Sequence, residues 1–294
     1  MNGNSGTLLV KGLTKNFGRR RVLDGLDLEA AAGEVIGIIG RNGAGKTTLF
    51  KLLLDLLETD AGEASLLGER PDGSGAIRRR IGYVPERPSF HPGMTAEEVF
   101  RFRAGFYPRW DMKKALATAA SLELPLDRKT SAFSKGGLAK LAWCCAVSHD
   151  PDLLLLDEPT SGLDYFIKDR IIGGLIDELI SARKTVIIAS HVMEDVFGLT
   201  DRLAVLAGGR ISACYPAATL KEEAFLVNAR LKDGHAPDGA VLLSKDGALA
   251  GLGVIGRESL ARLKGHPGLE AAEHRPMSPA EIFKTLLAGA GEEI

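Results

Sequence analysis

Residues 40–47 read Gly40-Arg41-Asn42-Gly43-Ala44-Gly45-Lys46-Thr47, three glycines closing on a lysine and a hydroxyl. Such a loop can curl around a polyphosphate. Glycine lets the backbone turn tightly and aim successive N–H groups at phosphate oxygens, and a helix start behind it adds positive potential. Lys46 would reach the β and γ phosphates, and Thr47, with Thr48 beside it, brings a hydroxyl toward a magnesium ion. Far along the chain, Asp157 ends the apolar run Leu153–Leu156, where a strand would set its carboxylate beside the phosphates to complete the metal site. The bland alternative is a ligand-free glycine-rich turn; pattern and setting together disfavour it.

These groups need elements to hold them. Val35–Ile39 is a short apolar run that stops at Gly40, and the leucines from Lys46 to Leu57 recur at helical spacing, so the order is strand, glycine loop, helix. Extended segments are expected at Leu8–Val10 and Val22–Leu28, separated by the basic turn 18–21. Further strand-sized runs at Arg80–Val84, Leu153–Leu156 and Thr185–Ala189 alternate with helical stretches, which predicts an α/β fold on a mostly parallel sheet. Between Arg87 and Asp150 three helical patterns (95–107, 112–122 and 135–147) replace the strand signal and read as a helical insertion. The texture changes again after Cys214, so the expected division is residues 1–215, with a helical part at about 87–150, and a small accessory domain over 216–294.

The 294 residues carry 37 Lys and Arg against 38 Asp and Glu, a net charge of −1 that supplies no strong basic field for nucleic acid. No apolar run approaches the ~20 residues needed to cross a bilayer. The first residues lack the basic-then-apolar pattern of a secretory leader, which predicts an intracellular protein. Cys144, Cys145 and Cys214 lack metal-site spacing and read as reduced thiols. His235, His266 and His274 are too scattered to propose a metal site. No Asn-Lys-x-Asp motif supports guanine recognition.

Glu158 follows Asp157 directly and opens Glu158-Pro159-Thr160-Ser161-Gly162-Leu163-Asp164; His191 closes the later run Ile187-Ile188-Ala189-Ser190-His191; Phe133-Ser134-Lys135-Gly136-Gly137 lies upstream of the acids. With Phe17 ahead of the phosphate loop and the run Ile81-Gly82-Tyr83-Val84-Pro85, this set resembles the ABC-type ATPases over residues 7–212. The stretch Phe106–Asp111 and the Ser134-Lys135-Gly136 form are similar to the bacterial YtrB-like, exporter-type branch. The resemblance implies a P-loop fold with an N-terminal antiparallel β-subdomain and an ATP-hydrolysing transporter subunit. It implies that Glu158 is the general base, that His191 senses the γ-phosphate, and that Phe17 stacks on adenine. For Phe17 alone a core aromatic at a strand end is an equal reading. Ser134, Lys135, Gly136 and Gly137 would cap the ATP held by a second subunit, and Asp164 would couple the two sites.

The chain departs from that pattern at two places. Glu86 stands where glutamine is usual; it can still ligate Mg²⁺ but adds negative charge and cannot donate a hydrogen bond to water. Lys135 and Gly137 replace a glycine and a glutamine of the signature. The implied partners are a second ATP-binding subunit, identical or not, and separate transmembrane permease subunits, with the protein peripheral on the inner face of the cell membrane. Phe90, Phe100, Phe102, Phe106, Tyr107 and Trp110 crowd residues 90–110. Val99, Phe102 and Phe106, spaced by three and four, predict a buried helix face, leaving Phe90, Tyr107 and Trp110 as interface candidates. The competing function is a soluble ABC-type ATPase acting on nucleic acid, ribosomes or cofactor assembly. The clusters Arg19–Arg21 and Arg78–Arg80 lack interleaved aromatics and read as solvated faces, so no direct nucleic-acid binding is expected. Residues 216–294, whose segment Met277–Phe283 resembles the end of exporter-type ATPases, read as a structural accessory rather than a ligand-binding regulator.

Overall fold

The computed structural model describes residues 7–232 and 235–292, apart from the side chains of residues 175, 195, 271 and 272. Residues 1–6, on which the expectation of no leader partly rests, lie outside the described residues. Strands β1 (Leu8–Phe17) and β2 (Arg20–Ala30) form an antiparallel hairpin, longer than the two short runs expected. β3 (Val35–Ile39) is buried throughout and leads through the glycine loop into α1 (Lys46–Leu53). At Gly45, φ is 111° and a Cβ would stand 2.8 Å from Leu23 Cδ2, so backbone and space both demand glycine. β4 (Ala61–Leu66) pairs with β1, giving an antiparallel sheet in the order β2-β1-β4. β5 (Ile81–Val84) opens the central sheet.

The three helical patterns become α2 (Ala96–Ala104), α3 (Met112–Ser121) and α4 (Lys135–Val147). A capping box of Thr95 and Glu98 starts α2, which ends before Gly105 rather than at Tyr107. One expectation is reversed here. Val99 is buried, but Phe102 and Phe106 are 54% and 57% exposed, while Phe100 is fully buried. Phe90 and Trp110, read as interface candidates, pack against the core, and Tyr107 lies against Trp110 and His149. The reason is that positions 96, 99 and 100 satisfy helical spacing as well as 99, 102 and 106 do, and α2 turns the former set inward.

β6 (Leu153–Asp157), α5 (Tyr165–Arg170), a π-helical segment (Ile171–Ile176), α6 (Asp177–Ser181), β7 (Thr185–Ser190), the short α7 (Met193–Val196), β8 (Arg202–Ala207) and β9 (Arg210–Pro216) complete the core. The central sheet runs β5-β6-β7-β3-β8-β9, parallel except for β9. Its strands are apolar at consecutive positions because both faces are covered. Leu154, Leu156 and Ile188 face the helices, with Trp143 and Phe100; Leu153, Leu155 and Ile187 face α1 and the antiparallel sheet, with Phe50 and Leu26. This is the expected α/β class.

After β9 come α8 (Ala217–Glu223), β10 (Ala224–Leu231), β11 (Val241–Asp246), β12 (Leu249–Ile255), α9 (Arg257–Lys264), β13 (Leu269–Pro276) and α10 (Pro279–Gly289). The four strands form an antiparallel sheet in the order β11-β12-β10-β13. Val227, Ala229, Leu252 and Val254 pack against α9, whereas Ala224 and Leu226 share a core with Ile282, Leu286 and Leu287 of α10. That second core continues into Ile39, Leu203 and Val205, so the C-terminal residues are seated directly on the central sheet.

Candidate functional site

The phosphate loop joins β3 to α1 at the carboxyl end of the parallel strands, beside the end of β6, and a pocket of ≈ 350 Å³ opens over it. Lining it are Phe17, Arg41, Asn42, Gly43, Gly45, Lys46, Thr47, Thr48, Glu86, Asp157 and Glu158. Gly40 and Ala44 belong to the loop without lining the pocket. A Cβ at Gly40 would meet the Leu206 carbonyl oxygen at 2.6 Å, and Ala44 N–H donates to the Arg41 carbonyl.

Lys46 is only 6% exposed. Its ammonium donates to the carbonyls of Gly40 (2.7 Å) and Arg41 (3.3 Å) and lies 3.3 Å from Glu158 Oε1. That last contact is an ion pair without hydrogen-bond geometry, since Glu158 Oε1 has no hydrogen-bond partner among the described residues. The other oxygen, Oε2, lies 2.8 Å from His191 Nδ1 and 3.3 Å from Ser190 Oγ and the His191 N–H. Glu158 itself has φ 49°, the left-handed region that costs a residue with a Cβ about 1 kcal/mol or more. Its N–H donates to the Ala189 carbonyl at 2.9 Å, fixing the acid across the β6–β7 pair. The carboxylate of this strained residue lies between Lys46 and His191.

Thr47 Oγ1 donates to Asp157 Oδ2 at 2.6 Å. Burial pushes the Asp157 carboxyl up to about 6, the Thr47 hydroxyl and Lys46 pull it down, and the nearby Glu158 and Glu86 charges raise it further. Asp157 Oδ1 is buried without a hydrogen-bond partner among the described residues. An orphaned carboxylate oxygen, a threonine hydroxyl and the Glu86 carboxylate form an all-oxygen donor set, which fits a hard divalent cation such as Mg²⁺. Among the described residues no group of three or more His, Cys, Asp or Glu could hold a metal ion alone.

Ser134, Lys135, Gly136 and Gly137 stand apart from this pocket. Ser134 caps α4, its Oγ accepting from Gly137 N–H at 3.2 Å, which leaves its O–H to donate elsewhere. Lys135 Nζ donates to Ser161 Oγ at 3.1 Å, and Gly136 lies against Gly162. Asp164 caps α5, accepting from Ile167 N–H at 3.1 Å. The signature residues and the loop after Glu158 therefore form one cluster.

Sequence reasoning missed three residues that shape the site. Arg20 and Val22 line the pocket from the β1–β2 hairpin; the pairing of Arg20 with Phe17 across the turn is the signal that could have found them. Trp143 is fully buried in α4, and its indole N–H donates to the Pro159 carbonyl at 3.1 Å, tying the signature helix to the residue after Glu158. Phe17 is half-exposed at the pocket mouth, with Lys15 Nζ 5.7 Å from its ring centroid.

Among the described residues no helix is long and apolar enough to cross a membrane. A family described as ABC transporter matches residues 23–161. The Nod factor export ATP-binding protein I of Burkholderia lata is 35% identical over 94% of this chain and 95% of its own; that of Rhizobium sp. is 36% identical over 72% of each. A solved ATP-binding subunit of an ABC transporter superposes with a TM-score of 0.68 at 28% identity, covering 73% of this chain and 92% of its own. A dimeric ATP-binding cassette in a post-hydrolysis state with ADP and phosphate does so with a TM-score of 0.64 at 25% identity, over 71% and 98%. The relatives are transporter components, which sets aside the nucleic-acid alternative. The chain belongs to the ABC transporter ATP-binding family and is the ATP-binding, ATP-hydrolysing subunit of an ABC transporter.

Proposed function

We propose that this subunit powers an exporter from the inner face of the cell membrane, as one half of a head-to-tail dimer working against separate transmembrane subunits. The export direction is supported by the export proteins to which the chain is similar. The observation that carries the catalytic assignment is the placement of Glu158 between Lys46 and His191, next to the Asp157–Thr47 pair.

ATP would lie with adenine on Phe17 and its phosphates along the loop from Gly40 to Thr48, Lys46 contacting the β and γ groups. Mg²⁺, held by Thr47, Asp157 and Glu86 together with phosphate oxygens, would offset the charge that develops on the phosphates. Glu158 accepts a proton from a water whose oxygen attacks the γ-phosphorus; the bond from that phosphorus to the bridging oxygen breaks, and ADP and phosphate are released. His191 holds Glu158 through Oε2 and lies where loss of the γ-phosphate would be felt. Ser134, Lys135, Gly136 and Gly137 cap the partner's ATP and Asp164 relays between the two sites, so hydrolysis loosens the dimer. Residues 1–215 form the ATP-binding unit and 216–294 its accessory.

For the membrane subunits the fitting surface is the ≈ 310 Å³ groove lined by Leu54, Leu56, Tyr83, Phe90, Arg103 and Tyr107, with the exposed Phe102 beside Arg103 on α2 and the exposed Phe106 in the turn that follows. Glu158→Gln tests the assignment. Turnover is expected to fall by about 10²–10⁴-fold with ATP binding kept, and multi-span membrane proteins should co-purify with the ATP-trapped variant. Unchanged turnover would remove Glu158 as the base; recovery of soluble partners alone would remove the transport reading.

A further inference from the structure

We propose that Arg20 is a second cationic contact for the nucleotide's phosphate chain, delivered to the pocket by the β1–β2 hairpin. The inference rests on ATP occupying the pocket over the phosphate loop and adds a residue to it.

All three arginines of the cluster 19–21 are exposed, but Arg20 and Arg21 differ in what they face. Arg21 is committed within the hairpin, its Nη1 donating to Asp24 Oδ1 at 2.8 Å and its Nε to Asn16 Oδ1 at 3.4 Å. Arg20 takes the other course. It pairs with Phe17 directly across the turn, so the two side chains leave the same face of the ladder, and both line the pocket. Its Nη2 lies 3.7 Å from the point where a Cβ on Gly43 would stand. Gly43 has no side chain, so nothing from that residue separates the guanidinium from an anion cradled by the loop.

Charge points the same way. Glu86, Asp157 and Glu158 face the pocket, and Lys46 is already shared with Glu158. A triphosphate brings further negative charge. The Arg20 side chain has no hydrogen bond or ion pair among the described residues, and its planar fork matches two phosphate oxygens at once. The hairpin thus presents an aromatic face for the base and a cation for the phosphates on one rigid turn. This contact acts on binding, and its strength rises with the number of phosphates.

Calorimetric titration of the wild type, Arg20→Ala, Arg20→Lys and Arg21→Ala with ATP and with AMP, joined to KM and kcat for ATP, tests this. Arg20→Ala is expected to weaken ATP binding about tenfold, the low end for a charge-assisted hydrogen bond at an exposed site. AMP affinity should change less than about twofold, KM should rise with kcat nearly constant, Arg20→Lys should be intermediate, and Arg21→Ala should match the wild type. Wild-type affinities in Arg20→Ala would overturn the proposal. So would equal losses for ATP and AMP, which would place Arg20 on the base or sugar. A wild-type chain that binds no ATP would overturn the underlying reading, and the proposal with it.

Discussion

His149 makes stability depend on pH in a direction the structure dictates. The imidazole is 2% exposed, between α4 and β5, with Nδ1 3.2 Å from the Cys145 carbonyl, Nε2 3.2 Å from the Ile81 carbonyl, and the Tyr107 ring 4.3 Å away. Two forces compete. Both carbonyls would accept from an imidazolium, whereas a neutral ring can donate to only one of them, and this favours protonation. Burial opposes it more strongly, and the Arg103 and Arg109 charges add to that opposition, so the group is pushed down from 6.5 to about 4. Because the folded value is the lower one, the stabilisation is fully present above pH 6.5 and is lost as pH falls toward 4. The unfolded chain takes up the proton across that window and the folded chain does not. Each pH unit costs about 1.4 kcal/mol, so from pH 7 to pH 5 the loss from this group is about 2 kcal/mol. His149→Gln keeps an amide that can donate to a carbonyl but removes the titration. Urea unfolding of both proteins at pH 7 and pH 5 should show the wild type losing about 2 kcal/mol more than the variant, every other titrating group being common to the two. Equal losses would refute the reasoning.

Four substitutions probe other parts of the molecule. Gly62 has φ 83°, and a Cβ there would lie 2.3 Å from the Gly12 carbonyl oxygen, so Gly62→Ala should cost about 2 kcal/mol or more by urea unfolding. Gly68→Ala, at φ 81° with nothing within 4 Å, should cost only about 1 kcal/mol; equal effects would show that the backbone conformation alone matters. Phe102→Ser with Phe106→Ser should leave stability within about 0.5 kcal/mol because both rings are exposed, yet reduce recovery of membrane subunits in the co-purification; undiminished recovery would take these rings out of the docking surface.

The parallel strands were legible because burial on both faces makes them continuous apolar runs, as in Leu153–Leu156 and Val186–Ala189. The phosphate loop was legible because glycine and lysine are demanded at fixed positions. β4 was not: Ala61–Leu66 carries Ala, Gly and Glu, is exposed over half its length, and exists because β1 offers it a ladder. β1 and β2 were read short because the register shifts along their pairing interrupt a simple alternation. The phase of α2 was misread because two sets of apolar positions on one helix satisfy the same spacing, and only the packing of Phe100 against Trp110 selects between them. At the site, residue types named the acids and the lysine. Contacts between distant segments, such as Trp143 with Pro159, leave no local pattern to find.

The C-terminal segment bears on catalysis through packing. His191 follows β7 directly, and α7 begins two residues later at Met193. Met193, and Phe197 just after α7, are buried against Ile282, Leu286 and Leu287 of α10 and against Leu203 and Val205 of β8. Each such large apolar side chain contributes on the order of 1.5–3 kcal/mol by burial, so α10 anchors the stretch that follows the histidine far more firmly than a four-residue helix could anchor itself. α10 is fixed in turn by the Ser278–Glu281 capping box and by Arg275, whose guanidinium holds the Glu281 carboxyl down to about 2. Glu158 is thereby positioned from two sides, by Lys46 on the phosphate loop and by a histidine whose own segment rests on the C-terminal helix. A C-terminal segment that reads as an accessory in sequence is, in the fold, part of what keeps His191 against the Glu158 carboxylate.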